Sequence, residues 1–176
     1  MTDEFTIEPL SAAHDRKAFA SGIESLDRYL HQLARQDVRR RFANCFVATR
    51  VNSPVVVGYY TLAAEGISAS DLPEDVVRRL PRYPVVPAAL IGRLAVDWQV
   101  RELGLGKALL FDAALRALAS DTAAFALVVD AKDEQAVRFY RHHQFRPFPD
   151  QPRRMFLPLL RFVELLRDTN RSQAAT

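Results

Sequence analysis

Short runs of β-branched and aromatic residues alternate along this chain with stretches of helical period, the pattern of a layered α/β or α+β protein. Phe5–Glu8 is the first strand-like run. Ser21 then precedes a segment where Ile23, Leu26, Leu30 and Leu33 recur at helical spacing, which predicts one amphipathic helix running to about Arg40. Cys45–Arg50 and Val55–Ala63 read as two strands joined by a turn at 51–54, with Asn52 and Pro54 as its punctuation. Four of the ten prolines (Pro73, Pro81, Pro84, Pro87) lie between Asp71 and Pro87, which predicts a loop holding one short helix between Pro73 and Leu80. Leu90–Asp97 is a strand with Gly92 inside it. Gly104–Ala119 predicts a helix whose apolar face is built by Leu109, Leu110, Ala113, Leu115 and Leu118. Phe125–Asp130 reads as a buried strand, Asp133 as the N-cap of a helix to about His143, and Met155–Leu160 as a closing strand. The reading is one domain over 1–165, with 166–176 as a flexible tail.

The length of 176 residues suffices for one compact core, and 49% hydrophobic with 26% charged residues excludes general disorder. The longest charge-free run, Val51–Ala64, contains Pro54 and Gly58 and falls short of the roughly 20 apolar residues of a membrane span. Met1–Glu8 carries acids and lacks the basic and apolar parts of a signal peptide. A lone cysteine, Cys45, cannot form an internal disulfide, so a reducing cytoplasm is expected, with Cys45 a buried small hydrophobe in its strand. Arginine supplies 21 of the 24 basic side chains. Its planar fork of donors suits phosphate-rich partners, although a biased genome produces the same excess. His14 and His31 have no acidic partner at metal spacing, and no His/Cys/Asp/Glu cluster points to a metal.

Chemistry concentrates in Leu90-Ile91-Gly92-Arg93-Leu94-Ala95-Val96-Asp97 and the following Arg101-Glu102-Leu103-Gly104-Leu105-Gly106-Lys107. A strand runs through a glycine-bearing turn straight into a helix. The first backbone N–H groups of a helix lack partners within it and carry the positive end of the helix dipole. Glycines at 104 and 106 keep side chains out of their way, so the turn makes an anion cradle, with Arg101 and Lys107 available to add charge. The dinucleotide fingerprint is absent because Leu109 stands where its third glycine belongs, and the P-loop sequence is absent too.

Arg101, Gly104 and Gly106, after the Arg-Leu-Ala-Val-Asp strand, resemble the [QR]-x-x-G-x-[GA] motif by which GNAT acetyltransferases bind acetyl-CoA. Ala136-Val137-Arg138-Phe139-Tyr140, leading to Phe145, resembles a second helix motif of that superfamily. The resemblance implies an α+β GNAT fold: a mixed, mostly antiparallel twisted sheet of about six to seven strands flanked by helices and splayed at the acetyl-CoA site. It implies that Tyr140 is the general acid that protonates the departing thiolate. Leu94, Ala95 and Val96 would line the pantetheine arm, and Arg101, Glu102, Leu103, Gly104, Leu105, Gly106 and Lys107 would bind acetyl-CoA at its diphosphate. Gln144 departs from the pattern, standing where the family usually has glycine at a left-handed helix terminus.

Phe19-Ala20-Ser21-Gly22-Ile23, with Leu26-Asp27-Arg28-Tyr29-Leu30, is similar to the opening of the acetyltransferase toxins of type II toxin–antitoxin modules, with Ser21 in place of their cysteine. That likeness extends from about Ile7 to Leu160. It implies acetylation of the α-amino group of aminoacyl-tRNA, a homodimer, and neutralisation by a ribbon-helix-helix antitoxin. Arg35, Arg39, Arg40 and Arg41 on the first helix, Arg138 and Arg141 with His142 and His143 on the Tyr140 helix, and Arg153 with Arg154 form three basic groups that suit RNA phosphates. Arg93 is a further candidate for holding substrate, its alternative being an ion pair with Asp97 or Glu65. A small-amine or protein acetyltransferase, and a non-catalytic CoA-binding module, are the rival readings. Which aminoacyl-tRNA is used, and whether any residue acts as base, lie beyond the sequence.

Overall fold

The computed structural model describes residues 4–175. Seven strands form a mixed sheet in the order β1-β2-β3-β4-β5-β7-β6. They are β1 (Phe5–Pro9), β2 (Asn44–Arg50), β3 (Val56–Ser68), β4 (Val85–Val96), β5 (Ala126–Asp130), β6 (Arg146–Phe148) and β7 (Gln151–Pro158). Six α-helices accompany them: α1 (Glu24–Arg28), α2 (Ala34–Arg39), α3 (Glu74–Val77), α4 (Leu105–Ala119), α5 (Glu134–His142) and α6 (Leu159–Ala174). The chain divides into two compact units, one made of the residues up to Ala63 with Ile91–Leu115, the other of Ala64–Leu90 with the residues from Arg116 onward.

In the first unit β2 pairs antiparallel with both β1 and β3, and a bulge interrupts its register with β3 at Ala48/Thr49. Its core gathers Phe19, Tyr29, Leu30, Ala34, Cys45, Val47, Val56, Tyr59 and Ala95. The predicted continuous helix from residue 23 to 40 is broken: a π-helical turn, Tyr29–Leu33, separates α1 from α2. A π turn takes in one residue more than an α turn, so everything beyond it is rotated on the helix surface. That rotation carries Leu33 out to 44% exposure and brings Ala34 into the core instead.

In the second unit β7 pairs antiparallel with β5 and β6. Its core gathers Ile67, Leu72, Val76, Val86, Ala88, Ala126, Val128, Phe148 and Phe156. β4 begins at Val85, inside the stretch expected to be loop. Pro87 is accommodated there because its carbonyl still accepts a hydrogen bond, from Phe125 N at 2.8 Å, and only its missing donor is lost. The stretch expected to be a tail is helical as far as Ala174, continuing α6, whose Leu159 and Phe162 are buried.

α4 also differs in the face it buries. Leu115 and Leu118, expected in the core, are 50% and 39% exposed. Leu105, Leu109, Leu110, Ala113, Ala114 and Ala117 are buried in their place. The helix is apolar nearly all round, so periodicity alone did not choose between its faces.

Candidate acetyl-donor turn and catalytic helix

β4 delivers the chain into the turn through a buried aspartate. Asp97 Oδ1 accepts from Gln99 N (2.9 Å), capping a short 3₁₀ turn, Trp98–Val100, and its Oδ2 accepts from Ala20 N (2.9 Å). Trp98 N donates back to Ala20 O at 2.9 Å. One of the Arg101 guanidinium nitrogens donates to the Ser21 carbonyl. The Phe19–Gly22 segment and the 97–101 turn are thus stitched together, which the sequence did not reveal. Ser21 does not cap α1, whose N-cap is Ile23 with no side-chain bond. Its hydroxyl donates instead to Asp27 Oδ1 (2.6 Å) and accepts from Ile23 N (3.2 Å).

Beyond Arg101 the backbone turns left-handed twice, at Glu102 (φ 68°) and Gly104 (φ 80°). A Cβ at Gly104 would project into open space, so glycine is needed there for its backbone angle, and the front of the turn is open. The first hydrogen bond of α4 runs from Ala108 N to Gly104 O (3.1 Å). The amides of Leu105, Gly106 and Lys107 precede it and so have no acceptor within the helix. This is the donor set a diphosphate requires, and the residues present fit that group. Lys107 and Arg101 are exposed, the Lys107 ammonium lying 5.4 Å from the Phe111 ring centroid. Leu94 and Val96 are half-buried and Ala95 is buried.

The start of α4 is positioned by a residue outside these motifs. A Cβ on Gly58 of β3 would come within 2.9 Å of Leu105 Cδ2 and 3.1 Å of Leu109 Cδ1, so the absence of a side chain there lets the helix seat closely on the strand. Tyr60 OH donates to Asp112 Oδ2 at 2.7 Å further along the same helix. An uninterrupted charge-free strand with one glycine was the available signal.

Arg93 makes neither of the ion pairs considered for it. Asp97 is taken up by backbone amides, and Glu65 pairs with Arg154 (3.4 Å). The Arg93 guanidinium instead lies 3.6 Å from the centroid of the Tyr29 ring, at the π turn, and Arg93 N donates to Thr61 Oγ1 (3.1 Å). Among the described residues this half-buried cation has no carboxylate partner. The basic groups separate in the same way. Arg35, Arg39, Arg40, Arg41, Arg138 and Arg141 are exposed and, among the described residues, without ion pairs. Arg153 pairs with Glu134 (3.5 Å) and Arg154 with Asp130 (3.1 Å), so the third basic group is largely neutralised.

Tyr140 belongs to the second unit, on α5, whose N-cap Asp133 accepts from Ala136 N at 2.8 Å. The residue is 8% exposed, and its ring packs against Phe139 and Phe145, with centroids 5.2 and 5.3 Å away. Among the described residues its hydroxyl has no hydrogen-bond partner, yet no side-chain polar atom is both fully buried and unpaired. The phenol oxygen is therefore not fully enclosed. Burial raises its pKa above the ordinary range of tyrosine, so the phenol stays protonated at any physiological pH.

Directly after Tyr140 the helix closes with Phe145 N donating to Tyr140 O (3.0 Å) and Gln144 N to Arg141 O (3.0 Å). Gln144 sits at φ 72°, so the left-handed conformation is kept without glycine. Replacing Gln144 by Gly is expected to stabilise the protein by about 0.5–1 kcal/mol, the relief of left-handed strain less the entropy glycine adds to the unfolded chain. A thermal melt of the two proteins checks it.

Cys45 is buried, and burial pushes its thiol up to about 12. It is expected to resist maleimide at pH 7 in the native protein and to react fully in denaturant, which a labelling time course reads directly. His14 pairs with Glu8 (2.7 Å) and His31 bonds the Phe19 carbonyl (3.0 Å). Among the described residues no group of three His, Cys, Asp or Glu side chains is placed to hold a metal ion, and no helix is long and apolar enough to cross a membrane.

A mixed sheet whose fourth strand leads through a glycine turn into an amide-lined helix start is the arrangement of a GNAT acetyltransferase, and the acetyltransferase (GNAT) domain family matches residues 85–158. Over nearly the whole chain the protein is similar to the "Probable toxin TacT" of Sinorhizobium fredii, with 32% identity over 91% of this chain and 94% of the relative. It is 37% identical to a tRNA-acetylating toxin of Mycobacterium tuberculosis over 84% of this chain and 88% of the relative. Among solved structures it superposes on the toxin AtaT in complex with acetyl-methionyl-tRNAfMet, with TM-score 0.84 and 29% identity over 93% of this chain and 99% of AtaT. A tyrosine-to-phenylalanine mutant of AtaT, solved with the C-terminus of the antitoxin AtaR and acetyl-CoA, matches with TM-score 0.75 and 26% identity over 93% and 98%. The chain belongs to the GNAT acetyltransferases, in the family of these toxins, and is an N-acetyltransferase.

Proposed function

We propose that this enzyme is the toxin of a toxin–antitoxin pair and transfers the acetyl group of acetyl-CoA to the α-amino group of an aminoacyl-tRNA, which blocks translation. One observation carries it: an open, amide-lined turn at 102–107 in a chain that matches a tRNA-acetylating toxin over 84% of its length. Acetyl-CoA, when bound, supplies an acyl group activated as a thioester. The amides of Leu105, Gly106 and Lys107 hold its diphosphate, with Arg101 anchoring the turn through Ser21 and Lys107 adding charge. The Leu94, Ala95 and Val96 backbone orients the pantetheine arm.

The neutral amine attacks the thioester carbonyl, the C–S bond breaks, and Tyr140 gives its phenolic proton to the departing sulfur. The proton left on nitrogen passes to water, since an α-amine with pKa near 8 needs no strong base. The exposed, unpaired Arg35, Arg39, Arg40, Arg138 and Arg141 bind RNA phosphates, and Arg93 holds the acceptor end. The protein works as a single-domain subunit of a homodimer in the cytoplasm, and a ribbon-helix-helix antitoxin neutralises it. Relatives solved with an antitoxin and with tRNA support these partners.

Incubating the enzyme with acetyl-CoA and a pool of charged tRNAs is expected to yield N-acetyl-aminoacyl-tRNA, read by mass spectrometry after nuclease digestion. Acetylation of free amines or proteins with every charged tRNA left untouched would overturn the tRNA assignment.

A further inference from the structure

We propose that the end of α2 is a stacking platform for the unpaired 3′ end of an RNA, with Phe42 taking a base face while Arg39, Arg40 and Arg41 hold the flanking phosphates. This rests on the tRNA reading above and adds where the single-stranded part of that RNA is received.

α2 ends in a reverse cap in which Phe42 N donates to Asp37 O (2.9 Å) and Arg41 N to Val38 O (3.1 Å). Arg41 stands at φ 63°, a position usually filled by glycine. In such a cap the next residue commonly folds an apolar side chain back over the last helical turn. Phe42 does not, and is 74% exposed. The backbone is therefore fixed by two hydrogen bonds, and both the charge at 41 and the ring at 42 are presented outward.

Arg35, Arg39, Arg40 and Arg41 are all exposed, and among the described residues none is ion-paired. The only acid in the segment, Asp37, accepts from Tyr29 OH at 2.9 Å. A bare aromatic ring beside uncompensated guanidinium groups is a poor seat for an apolar protein partner, because interface cores are depleted of charge. It suits a polyanion with free base faces. Every base offers a π-face to an aromatic side chain, and arginine grips the phosphates between. Paired RNA has its bases already stacked, so the unpaired end is the part that fits.

The test measures binding of an uncharged tRNA transcript, intact or trimmed of its unpaired 3′ nucleotides, to the full-length protein. Phe42→Ala is expected to weaken binding of the intact RNA by about 5- to 150-fold and to leave binding of the trimmed RNA unchanged. Phe42→Trp is expected to bind like the parent, while Phe42→Leu, which keeps apolar bulk without a flat ring, loses most of the gain. The salt dependence of Phe42→Ala stays parental, whereas Arg40→Ala lowers the slope by about one. Unaltered melting temperatures exclude misfolding. Parental binding by Phe42→Ala, or an equal loss on intact and trimmed RNA, overturns the platform. A parent protein that binds neither RNA overturns the tRNA reading itself, and the platform with it.

Discussion

Tyr140→Phe is expected to lower kcat by about 10²- to 10⁴-fold, the range a positioned acid contributes, with KM for acetyl-CoA near its parental value. The protein should fold as well as before, because the hydroxyl removed has no partner among the described residues and the ring keeps its contacts with Phe139 and Phe145. A merely structural tyrosine would show the opposite, an unchanged kcat. The pH profile separates the roles further. Burial raises the phenol's pKa, so Tyr140 stays protonated wherever the attacking amine is neutral. The rate is expected to rise with pH to a plateau set by an amine pKa near 8, without falling again below about pH 10. Tyr140→Phe should keep the rising limb and lower the plateau. A falling limb between pH 7 and 9 in the parent would show that some other acid supplies the proton.

The second large effect is expected at Gly104. Valine there combines a left-handed backbone angle with a branched side chain, at a cost of about 2 kcal/mol in stability, and swings the following amides out of line. Losing one amide–phosphate bond is worth about 1.5–3 kcal/mol, so KM for acetyl-CoA should rise roughly ten- to 150-fold. Gly104→Asn isolates the site effect. Asparagine tolerates the left-handed angle, so stability should largely return. Its side chain still projects into the open front of the turn, so coenzyme affinity should not. Steady-state kinetics beside thermal melts distinguish these outcomes. Parental KM in both variants would place the diphosphate elsewhere.

The glycine turn was legible in the sequence because it is set by local backbone: a glycine between a strand and a helical run marks the left-handed turn that Gly104 makes into α4. The Asp133-capped helix bearing Tyr140 was equally readable, since its cap and periodicity agree. Harder to read were features set by long-range packing. Nothing in the spacing of Ile23, Leu26, Leu30 and Leu33 announces a π turn, which is selected by Tyr29 and Leu30 seating in the core. Asp97 and Ser21 are far apart in the chain, so their joint hold on the 97–101 turn was invisible until the backbone placed Ala20 beside Asp97. Gly58 lay in a run that looked only like a strand, and its meaning came from Leu105 and Leu109 across from it. The excess of arginine gave no way to tell free cations from paired ones; the structure separates Arg39 and Arg40 from Arg154 by their partners.

Amide NMR of the uniformly labelled enzyme titrated with CoA tests the donor site most directly. The expected result is that the largest shifts fall on the N–H groups of Leu105, Gly106 and Lys107. Saturable binding that leaves those three signals in place and moves others would contradict it.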